Sequence, residues 1–134
     1  MDAALVGQVW RRARACCEYC LMPQPFDDGP FEIDHVISRK HEGSTVLANL
    51  ALSCYHCNVH KGPVIAGRDR ATRRLVPLFN PRRHKWARHF RWRGPYLIGR
   101  TPIGRLTVLI LNMNDPFRVE LREGLIAEGL FPPN

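Results

Sequence analysis

The chain has no apolar run long enough to cross a membrane. Its longest largely apolar stretch is LTVLIL at 106–111, far shorter than the roughly 20 residues that a spanning helix needs. The N-terminus carries its acid first and its arginines last, the reverse of a secretory signal. Solenoid repeats and low-complexity segments are also missing. These absences predict a cytoplasmic protein without a membrane partner.

The length of 134 residues leaves room for one compact domain. A chain of this size buries roughly two-thirds of its unfolded surface, which gives a real but modest core. We predict a single domain over 1–134, with its core at about 17–62 and an extension at about 63–134. The sequence does not decide between a monomer and a homodimer.

Acidic residues are nearly missing from one long segment. Between Lys61 and Arg105 the chain has thirteen basic residues and a single acid, Asp69, whereas residues 1–60 carry a slight excess of acids. A segment of this charge attracts polyanions, of which nucleic acid is the commonest inside a cell. A solvated basic surface without a partner is the alternative interpretation.

Five cysteines are present, and four of them form two C-x-x-C pairs, CEYC at 17–20 and CYHC at 54–57. Stable disulfides are disfavoured in the cytosol, whereas thiolates at this spacing suit tetrahedral zinc. The sequence therefore predicts a structural zinc ion held by Cys17, Cys20, Cys54 and Cys57. Cys16 lies outside both pairs and is interpreted as a small buried thiol. The interval between the pairs exceeds that of an ordinary zinc ribbon, so another element is inserted there.

The residues between and around the pairs show helix and strand patterns. Helical spacing of apolar residues at 5–13 predicts an N-terminal helix, and FEIDHVIS at 31–38 alternates as a strand does. A loop leads to a short return strand, LALSC. SCYHCNVHKGP then predicts a short helix that Ser53 caps and Gly62 ends. His56 and His60 share one face of this helix and are interpreted as surface histidines.

This order of strand, loop, strand and helix, bracketed by zinc knuckles, resembles the HNH nucleases of the ββα-metal fold. The match is seen in Asp34-His35, then Asn49, then Asn58 directly after the last cysteine, which makes the chain an HNN variant. The resemblance implies an α+β fold with a ββα-metal core and structural zinc. Glu42-Gly43 departs from the pattern, because such relatives often have paired glycines there.

The resemblance also implies a chemistry. Hydrolysis of a phosphodiester needs an activated water and stabilisation of the developing charge. His35 is assigned as the general base, because its imidazole is largely neutral near pH 7. Asp34 and Asn58 offer oxygen ligands for one catalytic Mg²⁺ or Mn²⁺. The family resemblance implies that Asn49 orients His35, and His41 is a weaker candidate near the metal or phosphate.

The tail beyond residue 63 is predicted to bind nucleic acid and to pack on the core. Lys61, Arg82, Arg83 and Lys85 are the predicted phosphate contacts. The aromatic residues Phe79, Trp86 and Phe90 are interpreted as packing residues rather than base-stacking ones. HFRWRGPYLIG at 89–99 predicts a hairpin, and two helices follow, beginning near Thr101-Pro102 and Asp115-Pro116.

The sequence therefore predicts a metal-dependent HNH endonuclease that hydrolyses DNA, most simply double-stranded DNA, to 5′-phosphate and 3′-hydroxyl ends. The main alternative is a zinc-knuckle module that binds nucleic acid without cutting it. An RNA-directed nuclease and an antibacterial toxin are further alternatives. The physiological substrate and any sequence preference stay open.

Overall fold

The computed structural model describes all 134 residues and has a mixed α+β architecture, as predicted. Five α-helices and three two-stranded antiparallel sheets follow one another along the chain. None of the helices combines the length and the apolar character that crossing a bilayer requires.

The first helix, α1 (Ala3–Ala13), covers one end of the central sheet. Asp2 caps it by accepting a hydrogen bond from the Ala4 amide at 2.9 Å. Its buried Val9 packs with Leu50 and Leu52 in a small apolar cluster. The predicted N-terminal helix is therefore present, and it supports the strand that contains these two leucines.

Two strands and a helix form the centre of the molecule. Strand β1 (Glu32–His35) pairs with β2 (Leu50–Ser53), so that His35 lies opposite Leu50. Helix α2 (Tyr55–Lys61) follows directly and packs on β1. This is the predicted ββα arrangement.

Two local details differ from the sequence prediction. Strand β1 ends at His35 rather than continuing to residue 38, because the backbone of Ile37 bonds to the Asn49 side chain instead of to a strand. The N-cap of α2 is Cys54, whose Sγ accepts the Cys57 amide, and Ser53 is the last residue of β2. Cys54, rather than the expected Ser53, caps the helix because the C-x-x-C knuckle already places the Cys54 sulfur within hydrogen-bonding distance of the Cys57 amide.

The C-terminal half contains the predicted hairpin and helices. Strands β5 (Phe90–Arg93) and β6 (Tyr96–Gly99) turn at Gly94, whose φ of 57° suits glycine. Helices α4 (Pro102–Ile110) and α5 (Pro116–Ala127) are capped at their N-termini. The Thr101 side chain accepts a hydrogen bond from the Gly104 amide, and the Asp115 side chain accepts one from the Phe117 amide.

Three short elements in this half were not predicted. Strands β3 (Ala66–Arg68) and β4 (Leu75–Pro77) form a second hairpin, and α3 (Trp86–His89) is a single helical turn. Each strand is only three residues long, so the sequence shows no clear alternation of apolar and polar residues there. Asp69 accepts hydrogen bonds from Thr72 and Arg105 and so holds the turn of this hairpin.

One hydrophobic cluster joins both halves of the chain and includes residues from Cys17 to Phe131. Phe79 and Phe90 are almost fully buried in it, with their rings in edge contact at 5.1 Å. The Trp86 indole donates to the Tyr19 carbonyl at 2.8 Å. The prediction that these three aromatic residues pack against the core is confirmed.

Candidate functional site

The two C-x-x-C pairs meet in one buried cluster. The sulfur atoms of Cys17, Cys20, Cys54 and Cys57 all lie within 4.8 Å of one another, and each residue is buried. The Cys20 and Cys54 sulfurs are 3.7 Å apart. A tetrahedral zinc with Zn–S bonds of about 2.3 Å places its sulfurs about 3.8 Å apart. The four residues therefore fit a structural zinc ion, as predicted.

Backbone amides support the sulfurs within each pair. The Cys20 amide donates to Cys17 Sγ at 3.5 Å, and the Cys57 amide donates to Cys54 Sγ at 3.3 Å. Hydrogen bonds from the other three thiols lower the pKa of Cys20 well below its usual value, whereas hydrogen bonds to the same group of thiols raise the pKa values of Cys54 and Cys57. The negative charge of the cluster is therefore concentrated on Cys20, and thiolate is the form in which cysteine binds zinc.

An arginine that the sequence analysis did not identify lies beside this cysteine cluster. Arg118 of α5 donates to the Asp27 carboxylate at 2.9 Å, and its Nη2 lies 3.7 Å from Cys54 Sγ. Its positive charge offsets part of the negative charge of four thiolates. No local pattern reveals this contact, because Arg118 and Cys54 are 64 residues apart. Cys16 stays outside the cluster, half-buried, with its Sγ near the Arg14 carbonyl.

Asp34, at the second-last position of β1, is buried and fully partnered. The Tyr19 hydroxyl donates to its Oδ2 at 2.6 Å, and the Lys61 ammonium lies 3.1 Å from the same oxygen. Burial raises the pKa of the Asp34 carboxyl, while Lys61 and Tyr19 oppose that rise. Tyr19 lies between Cys17 and Cys20, so one side chain connects the first zinc knuckle to Asp34.

Lys61 is placed differently from the prediction. It is only 1% exposed, and besides Asp34 it donates to the His35 carbonyl at 3.1 Å. The sequence analysis placed it among the surface contacts to phosphate. The structure instead buries its ammonium, because the last turn of α2 packs against β1. Lys61 therefore holds both residues of the Asp34-His35 pair.

His35 has one nitrogen engaged and one without a protein partner. Its Nε2 lies 2.8 Å from Thr45 Oγ1, an oxygen that also accepts a hydrogen bond from Arg39. Its Nδ1 makes no hydrogen bond within the protein. Burial lowers the pKa of His35, and the nearby Arg39 guanidinium lowers it further. The imidazole is therefore mainly neutral near pH 7.

Asn49 fastens the loop between β1 and β2. Its Oδ1 accepts the Ile37 amide at 2.9 Å, and its Nδ2 donates to the Ile37 and Ser44 carbonyls. Gly43 passes so close to this bridge that an added Cβ would lie 1.6 Å from the Ile37 oxygen. Glu42, in the position where relatives often have glycine, adopts a left-handed φ of 67°. The loop thus keeps a glycine-like backbone at Glu42.

Asp34, His35 and Asn58 line one open cleft of about 300 Å³, together with Ser38, Arg39 and Lys40 among other residues. Neighbouring strand residues normally point to opposite faces, but β1 ends at His35, and both members of the pair reach this cleft. The Asn58 side chain is half-buried and makes no hydrogen bond within the protein. His41 is exposed in the loop and does not line the cleft.

The donor set in this open cleft fits a hard divalent cation. The Asp34 carboxylate and the Asn58 amide oxygen are the ligand types that Mg²⁺ and Mn²⁺ take in proteins. The Asn58 oxygen is free, whereas both Asp34 oxygens lie within 3.3 Å of the Lys61 ammonium. A divalent cation would therefore share Asp34 with Lys61.

The predicted nucleic-acid contacts in the tail are placed in two different ways. Arg82 forms an ion pair with Glu18 and is mostly buried, so its charge is already neutralised. Arg83 and Lys85 are exposed and have no acidic partner.

His56 and His60 stack at 4.1 Å near the surface, and each donates a ring N–H to a backbone carbonyl.

Comparison with protein families found that residues 17–63 match the model of the HNH endonuclease family. The matched segment contains the cysteine cluster and the open cleft, and it covers about a third of the chain. The sequence resemblance is confirmed over this segment. No match was found among curated proteins or among solved structures.

Proposed function

We propose that the protein is a metal-dependent endonuclease that hydrolyses DNA phosphodiester bonds and leaves 5′-phosphate and 3′-hydroxyl ends. The observation that carries this proposal is the meeting of Asp34, His35 and Asn58 in one open cleft. This cleft lies within the segment that matches the HNH endonuclease family.

His35 acts as the general base through Nδ1. For Nδ1 to accept a proton, the neutral ring must carry its hydrogen on Nε2, which then donates to Thr45 Oγ1 at 2.8 Å. Thr45 has a lone pair for this bond beside the one that Arg39 uses. The hydroxyl can thus accept from the tautomer in which Nδ1 is able to remove a proton from water.

Asp34 and Asn58 are the residues that would hold Mg²⁺ or Mn²⁺. Such an ion supplies charge stabilisation at the phosphate and at the departing 3′ oxygen. Lys61 and Tyr19 keep the Asp34 carboxylate in place at the edge of the cleft. Asn49 positions His35 indirectly, because it fixes the backbone at Ile37, two residues further along.

Double-stranded DNA is the proposed partner, and exposed cations such as Arg83 and Lys85 support it. One cleft of this kind cuts one strand. Cleavage of both strands requires a dimer or two successive binding events.

A supercoiled-plasmid assay tests the proposal. The wild-type protein, with its structural zinc retained, is expected to nick the plasmid with Mg²⁺ or Mn²⁺ and to be inactive when neither ion is added. His35→Ala should slow cleavage by about 10²–10⁴-fold, the usual contribution of a general base. His41→Ala is the matched control, because this histidine is exposed outside the cleft, and it should keep most of the activity. Equal activity of wild type and His35→Ala would exclude the mechanism.

One observation favours a second candidate function, a zinc module that binds nucleic acid without cutting it. Asp34 already has a cationic partner in Lys61, so the protein's own ammonium satisfies part of the charge that a metal would otherwise meet. This candidate predicts DNA binding with no metal-dependent cleavage. It also predicts that His35→Ala binds DNA as well as the wild type does.

A further inference from the structure

A cavity of about 390 Å³ near α3 is lined only by cationic and imidazole side chains: Arg83, His84, Lys85, Arg88 and His89. No acidic and no apolar residue lines it. We call it the basic pocket. Its five residues lie within seven consecutive positions, so one turn of chain and the short helix α3 bring them together.

The charge of the basic pocket has no counterion in the protein. The four ion pairs of the structure use Lys61, Arg82, Arg105 and Arg118, and none uses a cation of the pocket. Arg82 differs from Arg83, the next residue, because Glu18 neutralises its charge. Burial lowers the pKa of His84, and the Arg83 charge lowers it further. Uncompensated positive charge of this kind favours an anion.

His84 presents a fixed hydrogen-bond donor. Its Nδ1 accepts the Asn80 amide at 2.9 Å, because a backbone N–H can only donate. The ring proton of the neutral form must therefore be on Nε2, which has no partner within the protein. The Phe79 ring lies 5.9 Å from the imidazole and limits its movement. A bound anion would receive this N–H in addition to the arginine and lysine donors.

The position of the basic pocket connects it to the open cleft. Arg83 and His84 also line a neighbouring groove whose other wall includes Val36 and Ile37. These two residues directly follow His35, and consecutive Cα atoms are about 3.8 Å apart. The groove and the open cleft are therefore formed by adjoining residues of one segment, 35–38, since His35 and Ser38 line the cleft and Val36 and Ile37 line the groove.

From this arrangement we propose that the basic pocket binds a phosphodiester group of the nucleic-acid strand, next to the phosphate that lies in the open cleft. The substrate class, nucleic acid, rests on the proposed function. It assigns Arg88 and His84, together with Arg83 and Lys85, to one phosphate subsite. Arg82 is excluded from this subsite because Glu18 neutralises it.

The test measures binding rather than cleavage. Fluorescence anisotropy of a labelled duplex, with the structural zinc retained and no Mg²⁺ or Mn²⁺ added, compares the wild type with Arg83→Gln/Arg88→Gln. The matched control is Arg91→Gln/Arg93→Gln, which removes the same charge from exposed positions of the β5–β6 hairpin. The pocket variant should bind at least about tenfold more weakly, and its log–log salt slope should be shallower by about 0.9 for each phosphate that the variant no longer neutralises. The control should stay within about twofold of the wild type, since its arginines line no such pocket.

Equal weakening by both double variants would overturn the proposal, because it would show a diffuse basic surface. No weakening by the pocket variant would overturn it as well. Inorganic phosphate alone provides a further arm: strong competition at micromolar phosphate would show a small-anion site instead of a strand-binding one. Thermal unfolding of both variants should match that of the wild type. Because binding is measured without Mg²⁺ or Mn²⁺ and does not depend on cleavage, selective loss of binding supports the pocket even if the plasmid assay finds no nuclease.

Discussion

The cysteine cluster and the open cleft receive neighbouring residues of α2, yet they are opposite kinds of site. Cys57 is 1% exposed and meets three other cysteines, whereas Asn58 is half-buried and has no side-chain partner. Successive helix positions differ by about 100°, so adjacent residues serve different sides. The cysteine cluster supplies all four ligands that zinc requires, whereas the open cleft supplies few protein ligands and is open to water.

The difference in the number of protein ligands predicts that the cysteine cluster stabilises the fold, whereas the open cleft carries the proposed chemistry. A metal with four protein ligands contributes to folding, because the unfolded chain has no preformed site. A metal site with few protein ligands contributes less to folding, because it joins fewer parts of the chain. We therefore expect substitutions on the two sides of α2 to have separate effects.

The largest expected effect is the loss of folding stability on substitution in the cysteine cluster. Cys57→Ser should abolish stoichiometric zinc and unfold the core, because apparent zinc-binding free energies in small domains reach about 10–16 kcal/mol. Cys16→Ser is the matched control, since this thiol lies outside the cluster. It should keep both the zinc and the folded state. Zinc analysis with thermal unfolding measures both, and a folded, zinc-free Cys57→Ser protein would contradict the structural role.

The Lys61–Asp34 pair is an exception beside the open cleft, because both residues are buried and their ion pair contributes to folding. Lys61→Met leaves a buried carboxylate without its cation, which should lower the free energy of unfolding by about 3–5 kcal/mol. Lys40→Met is the control, because Lys40 lines the same cleft but is exposed. Its effect should be close to zero.

A double-substitution cycle sharpens this result. If the loss arises from the unpaired carboxylate, Lys61→Met combined with Asp34→Asn should be clearly more stable than the sum of the single effects predicts. Urea unfolding of the four proteins provides the comparison. Additive effects would show that Lys61 stabilises the fold by packing alone.

The sequence predicts the cysteine cluster better than the open cleft, and the reason is physical. Two C-x-x-C pairs are a typical zinc-binding pattern, so the cluster follows from the local sequence. The state of Asp34 depends on Tyr19 and Lys61, which are 15 residues before it and 27 after it. The motif shows that these residues are present, but the ion pair appears only when α2 packs on β1.

The loop at 36–49 shows the same limit in its backbone. Glu42-Gly43 departs from the paired glycines that are frequent in the family pattern. The structure keeps the loop with Glu42 at a φ of 67°, and Gly43 lies where no Cβ fits. Only the second position strictly requires glycine. The cost at Glu42 is a strained backbone, and composition alone does not separate these two positions.

The smallest expected effect is a shift of the pH profile of cleavage, which sharpens the comparison because the proposed general base, His35, lies in the open cleft and not in the cysteine cluster. A general base must be neutral, and burial together with Arg39 lowers the pKa of His35 from its usual value of about 6.5. Single-turnover cleavage should therefore stay constant at neutral pH and fall only at more acidic pH than that value. Arg39→Gln removes a lowering charge, so it should move the acidic limb upward by less than about one pH unit. Lys40→Gln removes an equal charge from the same cleft without contacting Thr45, and it should leave the limb in place. An acidic limb that Arg39→Gln does not move would assign the titration to a group other than His35.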